Sequence, residues 1–143
     1  DASFPVIFFT LSLHHHENSH LALKEAQRVL SKEGRLIILE PVADCELTQF
    51  YSLFDNETER LLDTLHVIET SDFEIDQRET VKGTMTFENT DELGNYDFDQ
   101  NEIQPGDRDR IIQLLQKLRG AVIDEQPIHL EDHTHIFSIR KKR

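Results

Sequence analysis

The sequence predicts an α/β fold built around a mostly parallel sheet. Residues 4–9 and 36–39 are apolar throughout, so a strand formed by either segment would be apolar on both faces. This pattern is typical of buried parallel strands. Between them, residues 18–30 carry apolar side chains at helical spacing. A strand, a helix and a second strand within about 35 residues predict a βαβ unit with a right-handed crossover.

The helix of this unit has candidate signals at both ends. Asn18 or Ser19 is predicted to cap its first turn, since short polar side chains satisfy the free N–H groups there. Gly34 is predicted to end it in a left-handed conformation. The second strand is then predicted to end at Glu40 and Pro41. Residues 1–43 are therefore predicted to form the βαβ core of a single domain.

Residues 44–104 are predicted to form an inserted α+β region. A short helix is expected around Leu47 and Phe50, and a second is expected to start at Asn56, with Glu59 completing a capping box. Residues 73–87 alternate in a way that predicts β-structure with one apolar face and a turn near Gly83. Residues 88–109 hold eight acids and one base, which favours a solvated loop.

Residues 105–143 are predicted to supply a final helix and a pair of strands. Pro105, Gly106 and Asp107 form a typical helix start, and Gly120 is expected to end that helix. The two strands are expected around residues 128–130 and 135–139.

Composition narrows the classes of function. The chain has 143 residues, enough for one domain, and its net charge of −13 argues against nucleic-acid binding. The basic residues 140–143 are interpreted as a solvated end. No apolar stretch approaches the roughly 18 residues of a membrane span. The single cysteine, Cys45, excludes an intrachain disulfide, is interpreted as a small buried side chain, and favours a reducing compartment. We expect a cytoplasmic protein that binds neither membranes nor nucleic acids.

The carboxyl ends of the two parallel strands mark the candidate site, because ligands bind at that edge of open α/β sheets. The first strand leads into His14, His15 and His16, and the second ends at Glu40. Imidazoles accept protons near neutral pH, and a carboxylate binds hydroxyls or amines. A role of the histidines in the site is favoured over solvent exposure and over a metal. Glu40 is equally consistent with orienting an acceptor and with a hydrogen-bonded loop acid.

Two further groups have two interpretations each. Phe50 and Tyr51 follow the candidate edge and either line an apolar acceptor pocket or belong to the core. Glu131, His133 and His135 have a spacing compatible with zinc on one face of a strand, but outward polar alternation is favoured. No metal is assigned from the sequence.

Four segments together resemble the class I S-adenosylmethionine-dependent methyltransferases, in the small-molecule branch that includes the ubiquinone and menaquinone methyltransferases. The segments are Asp-Ala-Ser-Phe-Pro-Val-Ile at residues 1–7, Leu-His-His at 13–15, Ala-Leu-Lys-Glu-Ala-Gln-Arg-Val-Leu at 22–30 and Gly-Arg-Leu-Ile-Ile-Leu-Glu-Pro at 34–41. The resemblance covers residues 1–41, and residues from 107 onward are consistent with it.

The resemblance implies a fold and a set of roles. The fold would be the C-terminal half of a Rossmann-like methyltransferase sheet, with an antiparallel final strand and the inserted α+β region above the substrate. The cofactor would be S-adenosylmethionine, contacted by Ser12 and Leu13. His14 and His15 would be the catalytic base or orienting groups. Glu40, Phe50 and Tyr51 would contact a small-molecule acceptor.

The sequence departs from the family pattern. Pro5 replaces the usual aspartate, and Lys32-Glu33-Gly34 replaces Pro-Gly-Gly. All five glycines are isolated, so no glycine-rich cofactor turn is present in this sequence. We therefore expect the chain to need an upstream half for activity, to bind S-adenosylmethionine weakly alone, and to pair with that half or with a second copy. The alternative is a non-catalytic methyltransferase-like binding or interaction module.

Overall fold

The computed structural model describes residues 3–95, 106–120 and 127–142. The strands are β1 (Phe4–Thr10), β2 (Leu30–Pro41), β3 (Phe73–Phe87) and β4 (Ile128–Lys141). The helices are α1 (Ser19–Val29), α2 (Glu46–Tyr51), α3 (Thr58–Glu69), α4 (Thr90–Asn95) and α5 (Asp107–Arg119). A 3-10 turn, Leu13–His15, lies between β1 and α1.

The described residues fall into two compact units. The first takes those within Asp1–Ala43, Glu57–Lys82 and His133–Arg143. The second takes those within Asp44–Asn56 and Gly83–Asp132.

The four strands form one mixed sheet in the order β1-β2-β4-β3. β1 runs parallel to β2, with Ile7 beside Leu36 and Phe9 beside Ile38. β4 runs antiparallel to β2, with Phe137 beside Ile38. This confirms the predicted α/β class, the parallel strand pair and the antiparallel final strand.

β1 is less buried than its composition predicts. Phe4, Val6 and Phe8 are 54%, 43% and 64% exposed, whereas Ile7 and Phe9 are half-buried against the core. The prediction that both faces are buried is wrong in these residues. The physical reason is position, because β1 lies at the edge of the described sheet and the described residues leave these three side chains exposed on its outer face.

The junction between α1 and β2 also differs from the prediction. Asn18 does cap α1, accepting a hydrogen bond from the Leu21 N–H at 2.9 Å. The helix ends at Val29, however, and β2 begins at once with Leu30. Gly34 therefore lies inside a strand and is not among the glycines of positive φ. Glycine is needed there for space, because a Cβ would lie 2.8 Å from Cδ1 of the buried Leu30.

The core of the first unit lies between α1 and the inner face of β2 and β4. Its central side chains are apolar and almost fully buried, and they come from the 3-10 turn, from α1 and α3, and from the strands β2, β3 and β4. They are Leu13, Leu23, Ala26, Leu30, Leu36, Ile38, Ile68, Phe73, Phe137 and Ile139.

In the second unit, α5 packs against both α2 and α4. Phe50, Leu93 and Ile111 are fully buried there. The short helix around Leu47 and Phe50 is confirmed as α2, and the left-handed Gly120 that ends α5 is confirmed with a φ of 75°.

Four element predictions need correction. α3 begins at Thr58 with Glu57 as its capping position, so the capping box at Asn56 is wrong. β3 runs unbroken through Gly83, and its predicted apolar face is largely exposed. The two final strands are one strand, β4. Residues 90–95 of the expected acidic loop are helical, and residues 96–105, including Pro105, lie outside the described residues.

None of the described helices is long and apolar enough to cross a membrane.

Candidate active site

The chain reverses sharply where β1 ends. Leu11 has a φ of 50° and is the only non-glycine residue of positive φ in the described part of the chain. Its N–H donates to the Leu39 carbonyl at 2.9 Å, so the parallel pairing with β2 continues through this residue. Left-handed backbone is costly for a branched side chain and is often retained at functional sites. The turn brings Leu13–His15 beside the end of β2.

Glu40 is the buried acid at the end of β2. Only 4% of it is exposed, and both of its carboxylate oxygens have partners. Oε1 accepts the Leu13 N–H at 2.8 Å, and Oε2 is in close contact with Nδ1 of His14. Glu40 therefore fixes both the backbone of the 3-10 turn and the orientation of the His14 ring. This arrangement supports the interpretation of Glu40 as a hydrogen-bonded acid within the site.

A second carboxylate, Glu57, lies on the other side of the histidines. Its Oε2 is 3.3 Å from Nε2 of His14, and its Oε1 is 3.5 Å from Nδ1 of His15. Arg60, one turn later, donates to Oε1 at 2.8 Å. Sequence reasoning missed Glu57, because nothing local distinguishes it from the neighbouring acids of this segment. Only tertiary packing brings it to the 3-10 turn.

These two carboxylates control the ionisation of His14, whose side chain is 2% exposed. Burial alone lowers the pKa of an imidazole. Hydrogen bonds and charges from Glu40 and Glu57 outweigh that effect and hold the pKa of His14 above its ordinary value. His14 therefore favours the protonated form more than a free histidine does.

Packing between α1 and α3 keeps the site together. The Ser19 hydroxyl donates to the Leu13 carbonyl at 3.2 Å and lies 3.0 Å from the hydroxyl of Thr64, which is 2% exposed. One serine thus connects the 3-10 turn to α3, the helix that follows Glu57. A cavity of about 280 Å³ opens beside it. Its lining includes His14, His16, Ser19, Asp63, Thr64 and His66.

The remaining residues predicted near the cofactor have different positions. The Leu13 side chain is fully buried in the core, so only its backbone faces the site. Ser12 is half-buried, and its carbonyl accepts the His15 N–H at 3.2 Å. His16 is exposed and packs edge-on against Phe9, with ring centroids 5.7 Å apart. His14 and His15 are thus brought together with Glu40 and Glu57, and His16 is not.

Phe50 and Tyr51 belong to the second unit. Phe50 is fully buried, and its ring centroid lies 5.5 Å from that of Phe54 and 5.7 Å from that of Tyr51. These contacts favour the core interpretation for Phe50. The acceptor contact predicted for the two aromatic residues stays a prediction. Cys45 is buried, as predicted, with its sulfur 3.2 Å from the Thr48 hydroxyl.

The chemistry available at this edge follows from the geometry. A buried imidazole is clamped between two carboxylates, and a second imidazole, with its side chain 56% exposed, lies next to it. Such a pair orients a polar group, transfers a proton or attracts a cation. All four side chains lie in the first unit. His14 and His15 follow the carboxyl end of β1, and Glu40 lies in the last residues of the parallel strand β2.

Comparisons with known proteins agree with this fold. Residues 1–38 match the family model described as a methyltransferase domain. A Bacillus halodurans structure named as a “putative methyltransferase” aligns over 100% of this chain and 66% of its own, with 19% identity and a TM-score of 0.69. The YcgJ protein of Bacillus subtilis aligns over 100% and 66%, with 20% identity and a TM-score of 0.59. A search of curated protein sequences finds no match.

The chain thus spans just under two thirds of the length of each of these two structures. Their likeness confirms the predicted Rossmann-like fold. Residues 1–38 and the fold are thus similar to those of methyltransferase domains. The match ends at residue 38, before both site carboxylates.

Proposed function

We propose that the chain is part of an S-adenosylmethionine-dependent methyltransferase that acts on a small-molecule acceptor. The observation that carries this proposal is the His14–Glu40 pair, buried at the carboxyl edge of β1 and β2. That edge is where open α/β sheets bind their ligands. It is also next to the segment that matches the methyltransferase-domain model. Cofactor contact by Ser12 and Leu13 remains part of the proposal, with Leu13 contributing backbone atoms.

The reaction would be an in-line displacement. The bond between the sulfonium sulfur and the methyl carbon breaks, and the sulfur keeps the electron pair. A bond forms between that carbon and an oxygen, nitrogen or carbon of the acceptor, whose proton passes to a base if the acceptor starts protonated. Proximity and orientation supply most of the acceleration in such a step.

The geometry divides the work between the two histidines. Glu40 and Glu57 raise the pKa of His14, which favours an imidazolium that orients and polarises neighbouring groups. His15 is 56% exposed at its side chain, which makes it the better placed group to receive a proton from an acceptor. Glu40 acts through His14 and is a positioning residue in this scheme.

A specific observation favours the alternative, a non-catalytic interaction module. Phe4, Val6 and Phe8 expose an apolar stripe along β1, and such stripes recruit partners. We propose that this stripe and the open edge of β1 pair with another strand in either case. A cytoplasmic location is part of the proposal, on the ground of the single cysteine.

The test is methyl transfer by the protein expressed from its complete gene. S-adenosylmethionine is supplied with a panel of phenols, quinols, amines and carboxylates, and release of S-adenosylhomocysteine is measured. We expect turnover with at least one acceptor and a fall in kcat of about 10²–10⁴-fold in His15→Ala, the range for loss of a general base. His129→Ala, an exposed change on β4, is the matched control.

Two results would contradict the proposal. If no acceptor is turned over and calorimetry detects no binding of S-adenosylhomocysteine, the methyltransferase proposal is wrong and the interaction module is favoured. Full kcat in His15→Ala on an accepted substrate would remove the base assignment.

A further inference from the structure

Three potential metal ligands converge at the candidate active site. Nε2 of His14, Nδ1 of His15 and a carboxylate oxygen of Glu57 all lie within 4.8 Å of one another. Among the described residues, no other trio of histidine, cysteine or acidic side chains does so. Glu131, His133 and His135, whose spacing in the sequence suggested zinc, do not converge in this way.

The measured separations suit a transition-metal ion. Bonds from zinc to imidazole nitrogen and carboxylate oxygen are about 2.0–2.2 Å, and tetrahedral ligands are then about 3.3–3.5 Å apart. Oε2 of Glu57 lies 3.3 Å from Nε2 of His14, and its other oxygen, Oε1, lies 3.5 Å from Nδ1 of His15. One ligand atom from each of the three residues lies within 4.8 Å of the other two, so small side-chain movements bring all three to one ion. Two imidazoles and one carboxylate are also a ligand set that zinc adopts in catalytic sites.

The His14 ring is held as metal-bound histidines are held. A ligating histidine commonly donates its other ring N–H to a carboxylate, which fixes the ring and raises its basicity as a ligand. Glu40 contacts Nδ1 of His14 and leaves Nε2 directed at Glu57. Glu40 is itself fixed by the Leu13 N–H at 2.8 Å.

Charge and access are compatible with a cation. Two carboxylates flank the His14 ring. With the Nδ1–H donated to Glu40, either a proton on Nε2 or a metal ion bound there compensates the charge of Glu57. The Arg60 guanidinium also contacts Glu57, but through Oε1, and Oε2 remains directed at His14. The side chain of His15 is 56% exposed, so the trio is reached from solvent on that side. That side leaves a fourth position for water or an oxygen ligand.

We propose that His14, His15 and Glu57 form a site for one divalent transition-metal ion of the zinc type, with Glu40 as the positioning residue for His14. Metal binding requires neither the cofactor nor an acceptor, so it is tested separately from the methyl-transfer proposal. An ion bound to His15 would compete with the role of His15 as a base.

The experiment measures Zn²⁺ binding to the complete 143-residue chain by competition with a chromophoric chelator, with stoichiometry from elemental analysis after dialysis. We expect one equivalent and a dissociation constant below about 1 μM. Removing a hydrogen-bond partner of a ligand typically costs about 10–100-fold in affinity, so Glu40→Gln should lose that much. His15→Ala and Glu57→Gln, which remove ligands, should lose more than about 100-fold.

Matched controls separate this site from surface binding. His129→Ala and Glu59→Gln change exposed residues on β4 and α3 and should keep full affinity. His15 is also exposed, and its replacement leaves the core intact, so circular dichroism should show a folded variant. The proposal is overturned if Zn²⁺ does not bind at 1:1 below about 10 μM, if His15→Ala and Glu57→Gln bind as the native chain does, or if the two control variants lose affinity equally.

Discussion

Glu40 holds the Nδ1 side of the His14 ring, although the two residues lie 26 positions apart in the sequence. The contact joins the last residues of β2 to the 3-10 turn after β1. It also decides which nitrogen of His14 faces Glu57 and the rest of the site. The parallel pairing of β1 and β2 is what makes the contact reachable, since it aligns the carboxyl ends of the two strands.

Replacement of Glu40 should destabilise the fold as well as the site. In Glu40→Gln the buried His14 ring loses the carboxylate that compensates its burial, and we expect a loss of about 1–3 kcal/mol in unfolding free energy. Urea denaturation followed by circular dichroism measures this. Glu59→Gln, which alters an exposed acid on α3, should stay within about 0.5 kcal/mol of the native chain. Equal stability of the two variants would contradict the role given to Glu40.

Gly34→Ala should destabilise β2 through crowding. The added Cβ would lie 2.8 Å from Cδ1 of Leu30 and 2.9 Å from Oγ of Ser31. Leu30 is fully buried, so its side chain would have to shift within the core, and we expect a cost of about 1–3 kcal/mol in unfolding free energy.

A double-mutant cycle with Leu30→Val identifies the cause. The shorter side chain should recover part of the Gly34→Ala loss, so the double variant should be more stable than the sum of the single changes predicts. Simple additivity would show that the clash with Leu30 is not the source.

Two phenylalanines of the same sheet should respond very differently to truncation. Phe137 on β4 is fully buried, whereas Phe8 on β1 is 64% exposed. Phe137→Ala leaves a cavity in the core and should cost about 3–5 kcal/mol. Phe8→Ala should cost no more than about 0.5 kcal/mol. Thermal and urea unfolding of both variants make the comparison, and similar losses would show that the outer face of β1 is covered.

Self-association of the chain should depend on the stripe of Phe4, Val6 and Phe8. We expect sedimentation equilibrium at micromolar concentration to show dimers or larger species, because an apolar edge strand pairs readily with another chain. Phe8→Lys places a charge on the stripe and should shift the distribution toward monomer. Leu62→Lys, which changes an exposed leucine on α3 (53% exposed), is the control and should not. A native chain that stays monomeric would contradict the prediction.

The sequence by itself determined the class of the fold. Residues 4–9 and 36–39 had the apolar, β-branched and aromatic character that places strands in a sheet, and the helical stripe between them set the crossover. Asn18 correctly predicted the start of α1, and Gly120 correctly predicted the end of α5, because both residues act through local backbone geometry. These features depend on neighbours in the chain, so sequence reasoning reached them.

Local signals failed where a position depends on distant residues. Gly34 had the sequence position of a helix end, but its role is to leave room for Leu30 within a strand. The burial of β1 depends on which strands and layers surround it, and the composition of residues 4–9 does not specify those neighbours. The turn predicted at Gly83 is part of a continuous strand, because pairing within the sheet outweighed the local preference for a turn.

The candidate site divides in the same way. The histidines and Glu40 were found because parallel strands bring their carboxyl ends to one edge. The separation of His14 and His15 from His16 required the 3-10 turn, which directs adjacent side chains to different surroundings. Glu57 could be found only in three dimensions, because α3 packs against α1 and the 3-10 turn through contacts such as Ser19 with Thr64. The sequence pattern thus predicted which types of residue form the candidate site. Tertiary packing decided which of these residues are in contact.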